Sequence, residues 1–419
     1  MPPHTESHCS FLSSFTSSTV PVMHLCVSIF VEQVTAPFLH VGGVSLMTLL
    51  SWFYTHSLSS VCVCVCVSVR QVAIFSLFLA VLFALYLVPL GMYSPCIKEK
   101  GTLGPAPTLI GHRGAPMLAP ENTQMSFEKA VDAGGEGLET DVTISYDGVP
   151  FLMHDSTLRR TTNVHEVFPN RTDTPAAMFT WDELEMLSAG SWFLQRDPFS
   201  TASSLDVDEK VRVQNQTVPT LKEFLNLAAQ HERLVIFDLR RPPRGHPYRD
   251  TWITRTLEVI HNESSINSNQ VLWLPADQRS LVQELDPELQ QTSGDHASLE
   301  QLQEEHIVRL NLHYNCVSDF RKYSSVNIST NLYVVSQPWL YSLAWCAGVH
   351  SVTTNALHIL KKLQRPMFLM TADEYSLMWI LTDILSAFLI TAVFIFHCKW
   401  YLNCALKHVI HILEQIIQQ

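Results

Sequence analysis

Two long apolar stretches enclose a polar region, and this pattern most constrains the chain. Residues 71–97 contain no Asp, Glu, Lys or Arg, and Ser376–Cys398 contains only Asp383. Each stretch is about as long as a helix needs to cross a bilayer, roughly 20 residues. We therefore predict transmembrane helices at 71–93 and 376–398. Asp383 lies about two turns inside the second helix, where we expect it to be hydrated or paired with a neighbouring helix.

The first 70 residues give a less consistent pattern. A further membrane helix is a candidate at 34–54, although Pro37, Gly42 and Gly43 weaken it. Residues 61–67 alternate Val and Cys, as the translation of a repeated GT dinucleotide does. We interpret 1–70 as an unreliable N-terminal segment and base no function on it.

Charge placement predicts the topology. Lys399 and Lys407 follow the second span, and positive residues are enriched on the cytoplasmic side of a membrane. We predict a cytoplasmic tail at 399–419, with the polar region 101–374 outside the cell in an integral protein of the plasma membrane. That region contains four N-glycosylation sequons, at Asn170, Asn215, Asn262 and Asn327.

Composition excludes several classes of protein. The 27 Lys and Arg against 39 Asp and Glu exclude a nucleic-acid binder driven by positive charge. The 47% hydrophobic content excludes intrinsic disorder. Close Cys pairs lie in apolar runs or at their edges, which does not suit zinc. Two interpretations remain for Cys316 and Cys346: a disulfide formed in an oxidising compartment, or two buried free thiols.

The polar region alternates strand patterns with helix patterns. The β-rich runs are 108–112, 137–144, 234–239, 271–274, 307–312, 328–335 and 349–354. The amphipathic stretches between them include 125–133, 220–229, 252–260 and 280–285. Such alternation favours βαβ units, and seven or eight repeats over roughly 260 residues favour a (β/α)₈ barrel. The predicted fold class is therefore α/β, a TIM-barrel ectodomain flanked by transmembrane helices.

Acidic residues lie on two of the predicted strands. Glu139 and Asp141 are two apart, so both side chains point to one face of a strand. Inside a barrel two carboxylates repel each other and are costly to ionise, and a hard divalent cation removes that cost. Asp238, on a neighbouring strand, could complete the ligand set.

Basic residues suited to phosphodiester chemistry stand at other strand ends. His112 and His154 fit a general acid and base, because imidazole titrates near neutral pH. Arg113 offers a planar bidentate donor suited to phosphate.

Several motifs together resemble the glycerophosphodiester phosphodiesterase family. They are His112 to Thr123 (HRGAPMLAPENT), Glu139-Thr140-Asp141, Gly148-Val149-Pro150 and His154-Asp155. Supporting stretches are Thr161–Asn163, Phe237–Pro243, His246–Arg249, Pro338–Val349 and Ser351–Asn355. The chain looks most like the vertebrate multipass membrane branch, whose catalytic domain faces outside the cell.

The resemblance implies a TIM barrel with a small insertion, here at 157–216. It implies hydrolysis of a glycerophosphodiester to an alcohol and a glycerol- or inositol-phosphate. His112 and His154 would be the acid/base pair, Arg113 would hold the phosphate, and Glu121 would orient the active centre. The implied metal ligands are Glu139, Asp141 and Asp238, with Ca²⁺ or Mg²⁺ as the divalent cofactor.

The chain departs from the family pattern at its third metal-ligand position. That position commonly holds Glu followed two residues later by Lys, whereas this chain has Asp238 and Arg240. Asp is one methylene shorter, which alters metal distance, and Arg240 keeps a positive charge that could bind the phosphate.

Three functions compete on the sequence alone. The leading one is a membrane-anchored, metal-dependent phosphodiesterase acting on glycerophosphocholine, glycerophosphoinositol or a glycosylphosphatidylinositol linkage. The second is a catalytically weak surface protein that acts by binding partners. The third is a lyase-like barrel enzyme that releases a cyclic phosphate.

Overall fold

Eight parallel strands and one antiparallel strand form the sheet at the centre of the polar region. The computed structural model describes residues 40–46, 76–77, 79–84, 86–87, 94–315 and 320–417. The strands are β1 (Thr108–Gly111), β2 (Gly137–Ile144), β3 (Pro150–Leu152), β4 (Leu234–Leu239), β5 (Val271–Trp273), β6 (Gln290–Ser293), β7 (Arg309–His313), β8 (Ser329–Tyr333) and β9 (Ser351–Thr354).

The sheet closes on itself. The strand order is β1-β9-β8-β7-β6-β5-β4-β2, and β1 also pairs with β2. Every pairing in this ring is parallel, whereas β3 adds an antiparallel hairpin to β2. The predicted (β/α)₈ barrel is therefore confirmed.

Helices follow most of the strands. They are α1 (Gln124–Asp132), α2 (Val164–Val167), α3 (Trp181–Glu185), α4 (Ser191–Arg196), α5 (Val207–Gln214), α6 (Leu221–Gln230), α7 (Trp252–Glu258), α8 (Arg279–Leu285), α9 (Leu299–Glu304), α10 (Arg321–Ser324), α11 (Pro338–Ala347), α12 (Leu357–Leu360) and α13 (Ala372–Ile417). A π-helical turn, Val259–Glu263, extends α7.

Helix caps and apolar faces explain why the outer helices begin and pack where they do. The Thr123 side chain caps α1, and Thr220 and Glu223 form a capping box at α6. The buried faces of the two helices include Phe127 and Phe224, whose ring centroids lie 4.7 Å apart. The two helices therefore pack against each other outside the barrel.

The barrel interior is identified by contacts between strands that are not neighbours. Ile110 of β1, Ile236 of β4 and Leu272 of β5 form one buried cluster, although β2 separates β1 from β4. Gly137 of β2 lies between them, and a Cβ there would come within 3.1 Å of Ile110. Strand register places Glu139 beside Ile236, so Glu139 shares the interior face.

The chain between β3 and α6 holds α2 to α5 and corresponds in position to the predicted insertion at 157–216. It has its own buried apolar cluster, which includes Leu158, Phe179 and Leu184 and packs on Phe151 of β3. The insertion is therefore fixed to the antiparallel hairpin, and a second apolar cluster, which includes Trp192 and Val213, packs it on Met125 of α1.

The described residues group into two units, which are considered separately. One comprises residues 103–367, together with 1–18, which lie outside the described residues; the other comprises 19–102 and 368–419. In the second unit, Ala372–Val393 of α13 has a mean hydropathy of 1.9, and within the described residues it is the one helix long and apolar enough to cross a membrane.

Residues 40–46 are helical, and His40 Nε2 lies 3.6 Å from Asp383 Oδ1, so the expected pairing of Asp383 with another helix is observed.

The bonding state of one cysteine contradicts the interpretation that Cys316 and Cys346 are free thiols. Cys346, buried on α11, is disulfide-bonded, so the free-thiol alternative is wrong for this residue. Cys96 is also buried and disulfide-bonded, which the sequence did not predict. Cys316 lies outside the described residues.

Candidate active site

The predicted site residues gather at the carboxyl ends of the barrel strands. β1 ends at Gly111, immediately before His112 and Arg113, and β2 carries Glu139 and Asp141. Asp141 pairs in register with Asp238 of β4, so their side chains share the interior face. The carboxyl ends of barrel strands are where active sites of this fold are built.

The loop that follows β1 has an unusual backbone. Arg113, Gly114 and Asn122 have φ values of 52°, 88° and 54°, in the left-handed region. A Cβ at Gly114 would lie 2.4 Å from Ser126 Oγ, so only glycine fits there. The turn aims the Arg113 N–H at Glu139 Oε2, to which it donates at 2.9 Å.

The Arg113 side chain is bound by two carboxylates. Nη1 donates to Glu121 Oε1 at 2.9 Å, and Nε lies 3.2 Å from Asp141 Oδ2. Burial lowers the pKa of Arg113, but Asp141 and Glu121 outweigh it and raise the pKa above its usual value. Asn122 Nδ2 also donates to Asp141 Oδ2, at 3.1 Å. These contacts hold the guanidinium at the mouth of the barrel.

His112 is oriented by Asn355, the residue that directly follows β9. Its Nδ1 lies 2.6 Å from Asn355 Oδ1, and its Nε2 lies 4.0 Å from Glu139 Oε2. An amide oxygen can only accept, so Nδ1 carries the proton and Nε2 is the free basic nitrogen. Burial, followed by the charge of Arg113, lowers the pKa of His112 to about 4.

His154 is the more accessible histidine, with 42% of its side chain exposed. Its Nδ1 lies 2.8 Å from Asp155 Oδ1, and its backbone carbonyl accepts a hydrogen bond from Arg240 Nη2. Burial raises the pKa of Asp155, but the bonds from His154 and Arg160 outweigh it and hold the pKa well below its usual value. His112 and His154 thus each have an oxygen partner at Nδ1.

Whether the acidic residues suit a metal ion can be tested on their chemistry. Burial, followed by the nearby Asp141, raises the pKa of Glu139 well above its usual value, and Asp238 adds to the effect. An oxygen-only set whose charge is costly to maintain suits a hard divalent cation. Within the described parts of the chain, no three His, Cys, Asp or Glu side chains converge in a ligand cluster. The donor chemistry of Glu139, Asp141 and Asp238 fits such an ion, but in this arrangement Glu139 and Asp141 bond to the Arg113 loop instead of converging with Asp238.

All eight residues predicted for catalysis, phosphate binding and metal binding lie on β2 or β4 or in the segments that follow β1, β3 and β4, and their roles stay predictions. Arg240 contacts the His154 carbonyl. The four sequon asparagines, Asn170, Asn215, Asn262 and Asn327, are all exposed.

Sequence reasoning gave no separate role to four residues that contact the site. They are Asn122, Asp155, Arg160 and Asn355. Three of them lie in stretches that supported the family resemblance, and Arg160 directly precedes one, but the motifs alone did not show which side chain each would contact.

Comparison with known proteins agrees with this geometry. Residues 112–260 match the model of the glycerophosphoryl diester phosphodiesterase family. The human glycerophosphodiester phosphodiesterase domain-containing protein 5 is 50% identical over 373 residues, covering 88% of this chain and 60% of that protein. The mouse glycerophosphoinositol inositolphosphodiesterase GDPD2 is 44% identical over 366 residues, covering 87% of this chain and 66% of that protein.

A solved structure supports the fold. A protein from Silicibacter pomeroyi, assigned to the glycerophosphoryl diester phosphodiesterases, superposes with a TM-score of 0.50 at 20% identity, covering 61% of this chain and 93% of that one. The chain spans 60% of the length of the human relative, so activity and substrate are considered as proposals.

Proposed function

We propose that this chain, which belongs to the glycerophosphodiester phosphodiesterase family, hydrolyses a glycerophosphodiester at the mouth of its barrel. The observation that carries the proposal is that two histidines, each held at Nδ1 by an oxygen, flank a buried arginine and a set of carboxylates. The products would be an alcohol and a glycerol- or inositol-phosphate.

The two histidines would move the protons. Because Asn355 and Asp155 hold the Nδ1 atoms, each imidazole presents Nε2 to the substrate. One imidazole would accept the proton of the attacking water, and the other would donate a proton to the oxygen of the leaving alcohol. Arg113 would bind the non-bridging oxygens of the phosphate, with Arg240 nearby, and Glu121 would hold Arg113 in place.

Glu139, Asp141 and Asp238 would hold a divalent cation, Ca²⁺ or Mg²⁺. When bound, the ion supplies positive charge for the phosphate oxygens. The raised pKa of Glu139, caused by burial and then by Asp141, supports this assignment because a cation would relieve that cost.

The substrate class follows from the relatives. Mouse GDPD2 is named for glycerophosphoinositol, which makes glycerophosphoinositol a leading candidate for this chain. Glycerophosphocholine and glycosylphosphatidylinositol linkages are the other candidates.

We place the enzyme in the plasma membrane, anchored by helices at 71–93 and 376–398, with the domain 101–374 outside and the tail 399–419 in the cytoplasm. Two observations support this arrangement: the apolar window of α13 and the exposure of all four sequon asparagines.

The test uses the full chain in detergent micelles, assayed against glycerophosphocholine and glycerophosphoinositol with added Ca²⁺, added Mg²⁺ or a chelator. Phosphorus NMR distinguishes a phosphomonoester product from a cyclic phosphate, which the lyase alternative would release. We expect a phosphomonoester and loss of turnover with the chelator. No turnover by correctly folded protein under any condition would refute hydrolysis and favour the partner-binding alternative.

A further inference from the structure

Arg160 contacts two carboxylates of the candidate active site at once. Its Nε and Nη2 donate to Asp155 Oδ2 and Oδ1 at 2.7 and 2.9 Å. Its Nη1 and Nη2 donate to Glu121 Oε2 and Oε1 at 2.8 and 2.7 Å. Both pairs have the bidentate geometry that a planar guanidinium allows and a lysine ammonium does not.

Each of these carboxylates has a second contact, with a residue proposed to act on substrate. Asp155 Oδ1 lies 2.8 Å from His154 Nδ1, and Glu121 Oε1 accepts from Arg113 Nη1 at 2.9 Å. The orientations of the imidazole and of the phosphate-binding guanidinium therefore both depend on groups that Arg160 holds.

Arg160 is itself fixed by the inserted segment between β3 and α6. Its guanidinium carbon lies 6.0 Å from the centre of the Trp192 ring, and its carbonyl accepts from Arg196 Nη1 at 3.1 Å. Its neighbour Arg159 points away, with 67% of its side chain exposed and a single ion pair to Asp173. Arg159 can therefore serve as the matched control for substitutions of Arg160.

We propose that Arg160 is a positioning residue, through which the inserted segment holds His154 and Arg113 in their working orientations. The inference rests on the proposed hydrolysis. Four of the five guanidinium N–H donors are already used by Asp155 and Glu121, which leaves only one for a phosphate. Arg160 therefore acts through these carboxylates rather than by binding substrate.

The test compares Arg160→Gln, Arg160→Lys and Arg160→Ala with the matched control Arg159→Gln, all in the full chain in detergent. A misplaced catalytic group costs on the order of 10²-fold in rate, so we expect kcat to fall by about 10- to 100-fold in Arg160→Gln. KM should rise by a smaller factor than kcat falls, because Arg113, which would bind the phosphate, keeps its contact with Asp141 in the variant. Arg160→Lys keeps the positive charge but loses the planar guanidinium that donates two hydrogen bonds to each carboxylate, so its kcat should fall by at least about tenfold. Added methylguanidinium should restore part of the kcat of Arg160→Ala and none of that of Arg160→Lys.

The outcomes separate this inference from the proposed function. A wild-type chain without turnover would remove both. If the wild type and Arg159→Gln turn over substrate, then unchanged kcat in Arg160→Lys, or a rise in KM alone, would refute positioning and leave hydrolysis standing. If Arg160→Gln shows no thermal unfolding transition because it does not fold, the proposal is tested by the kcat of Arg160→Lys and by the methylguanidinium rescue of Arg160→Ala, since both report on folded protein.

Discussion

The contact between His112 and Asn355 makes a quantitative prediction about catalysis. Asn355→Ala removes the oxygen that lies 2.6 Å from Nδ1 and leaves the imidazole free to rotate and to change tautomer. A displacement of about 1 Å can cost on the order of 10²-fold in rate. The whole effect of a general acid or base is about 10²–10⁴-fold, which sets the upper limit. We therefore expect kcat to fall by about 10- to 100-fold, less than in His112→Ala.

The cost to stability is too small to produce that loss of activity. One hydrogen bond contributes about 0.5–1.5 kcal/mol net, and folded proteins are stable by about 5–15 kcal/mol. More than about 99% of the variant would stay folded at 25 °C on these numbers. The midpoint of thermal unfolding should fall by only a few degrees, about 2–4 °C per kcal/mol for a domain of 150–250 residues.

The assay measures kcat on glycerophosphoinositol and the thermal midpoint of each variant. Asn355→Asp keeps an oxygen that accepts from Nδ1 and should retain more activity than Asn355→Ala. Asn226→Ala is the matched control, because Asn226 bonds Ser265 outside the site. A kcat for Asn355→Ala within about twofold of the control would show that His112 needs no partner at Nδ1.

Three further predictions can be checked with the same preparation. His112→Ala should lower kcat by about 10²–10⁴-fold while the thermal midpoint stays near that of the wild type, and near wild-type kcat would refute the acid/base role. Asp238→Ala should greatly raise the metal concentration for half-maximal activity and Asp238→Glu should change the preference between Ca²⁺ and Mg²⁺, whereas Asp250→Ala, an exposed residue paired with Arg241, should do neither. An unchanged metal titration in Asp238→Ala would contradict the ligand role. Endoglycosidase treatment of intact cells should increase electrophoretic mobility, and no shift together with protease protection of 101–374 would contradict the topology.

Hydrophobic patterning was sufficient to predict most of the barrel, and its one clear failure has a physical cause. The strands 137–144 and 234–239 are apolar enough to be found from composition, and the structure has both at the predicted bounds. β6, Gln290–Ser293, has no apolar residue and was missed. Its buried Gln291 is paired with the buried Arg279, whose Nη1 donates to Oε1 at 3.0 Å. A polar strand is stable here because its side-chain partner lies on α8, the helix that precedes it.

The sequence predicted the site residues that share one strand, but not the contacts between side chains from segments far apart in the chain. Glu139 and Asp141 share a face because of strand periodicity, which a sequence reveals directly. Arg160 and Arg159 are adjacent and chemically identical, yet one is fixed at the active site and the other is at the surface. Which of the two turns inward depends on the packing of the insertion, and local pattern does not contain that information.

The β1 loop shows why two of the carboxylates cannot be treated as metal ligands alone. Left-handed backbone costs a non-glycine residue roughly 1–2 kcal/mol, and both Arg113 and Asn122 adopt it. Hydrogen bonds to two predicted metal ligands offset this backbone cost: Glu139 accepts from the Arg113 N–H, and Asp141 accepts from Asn122. Removing either acid therefore loosens the loop that positions His112 and Arg113, in addition to any effect on a cation. Isosteric Gln and Asn variants keep part of the acceptor set while reducing charge, so they, rather than Ala variants, separate metal binding from loop geometry.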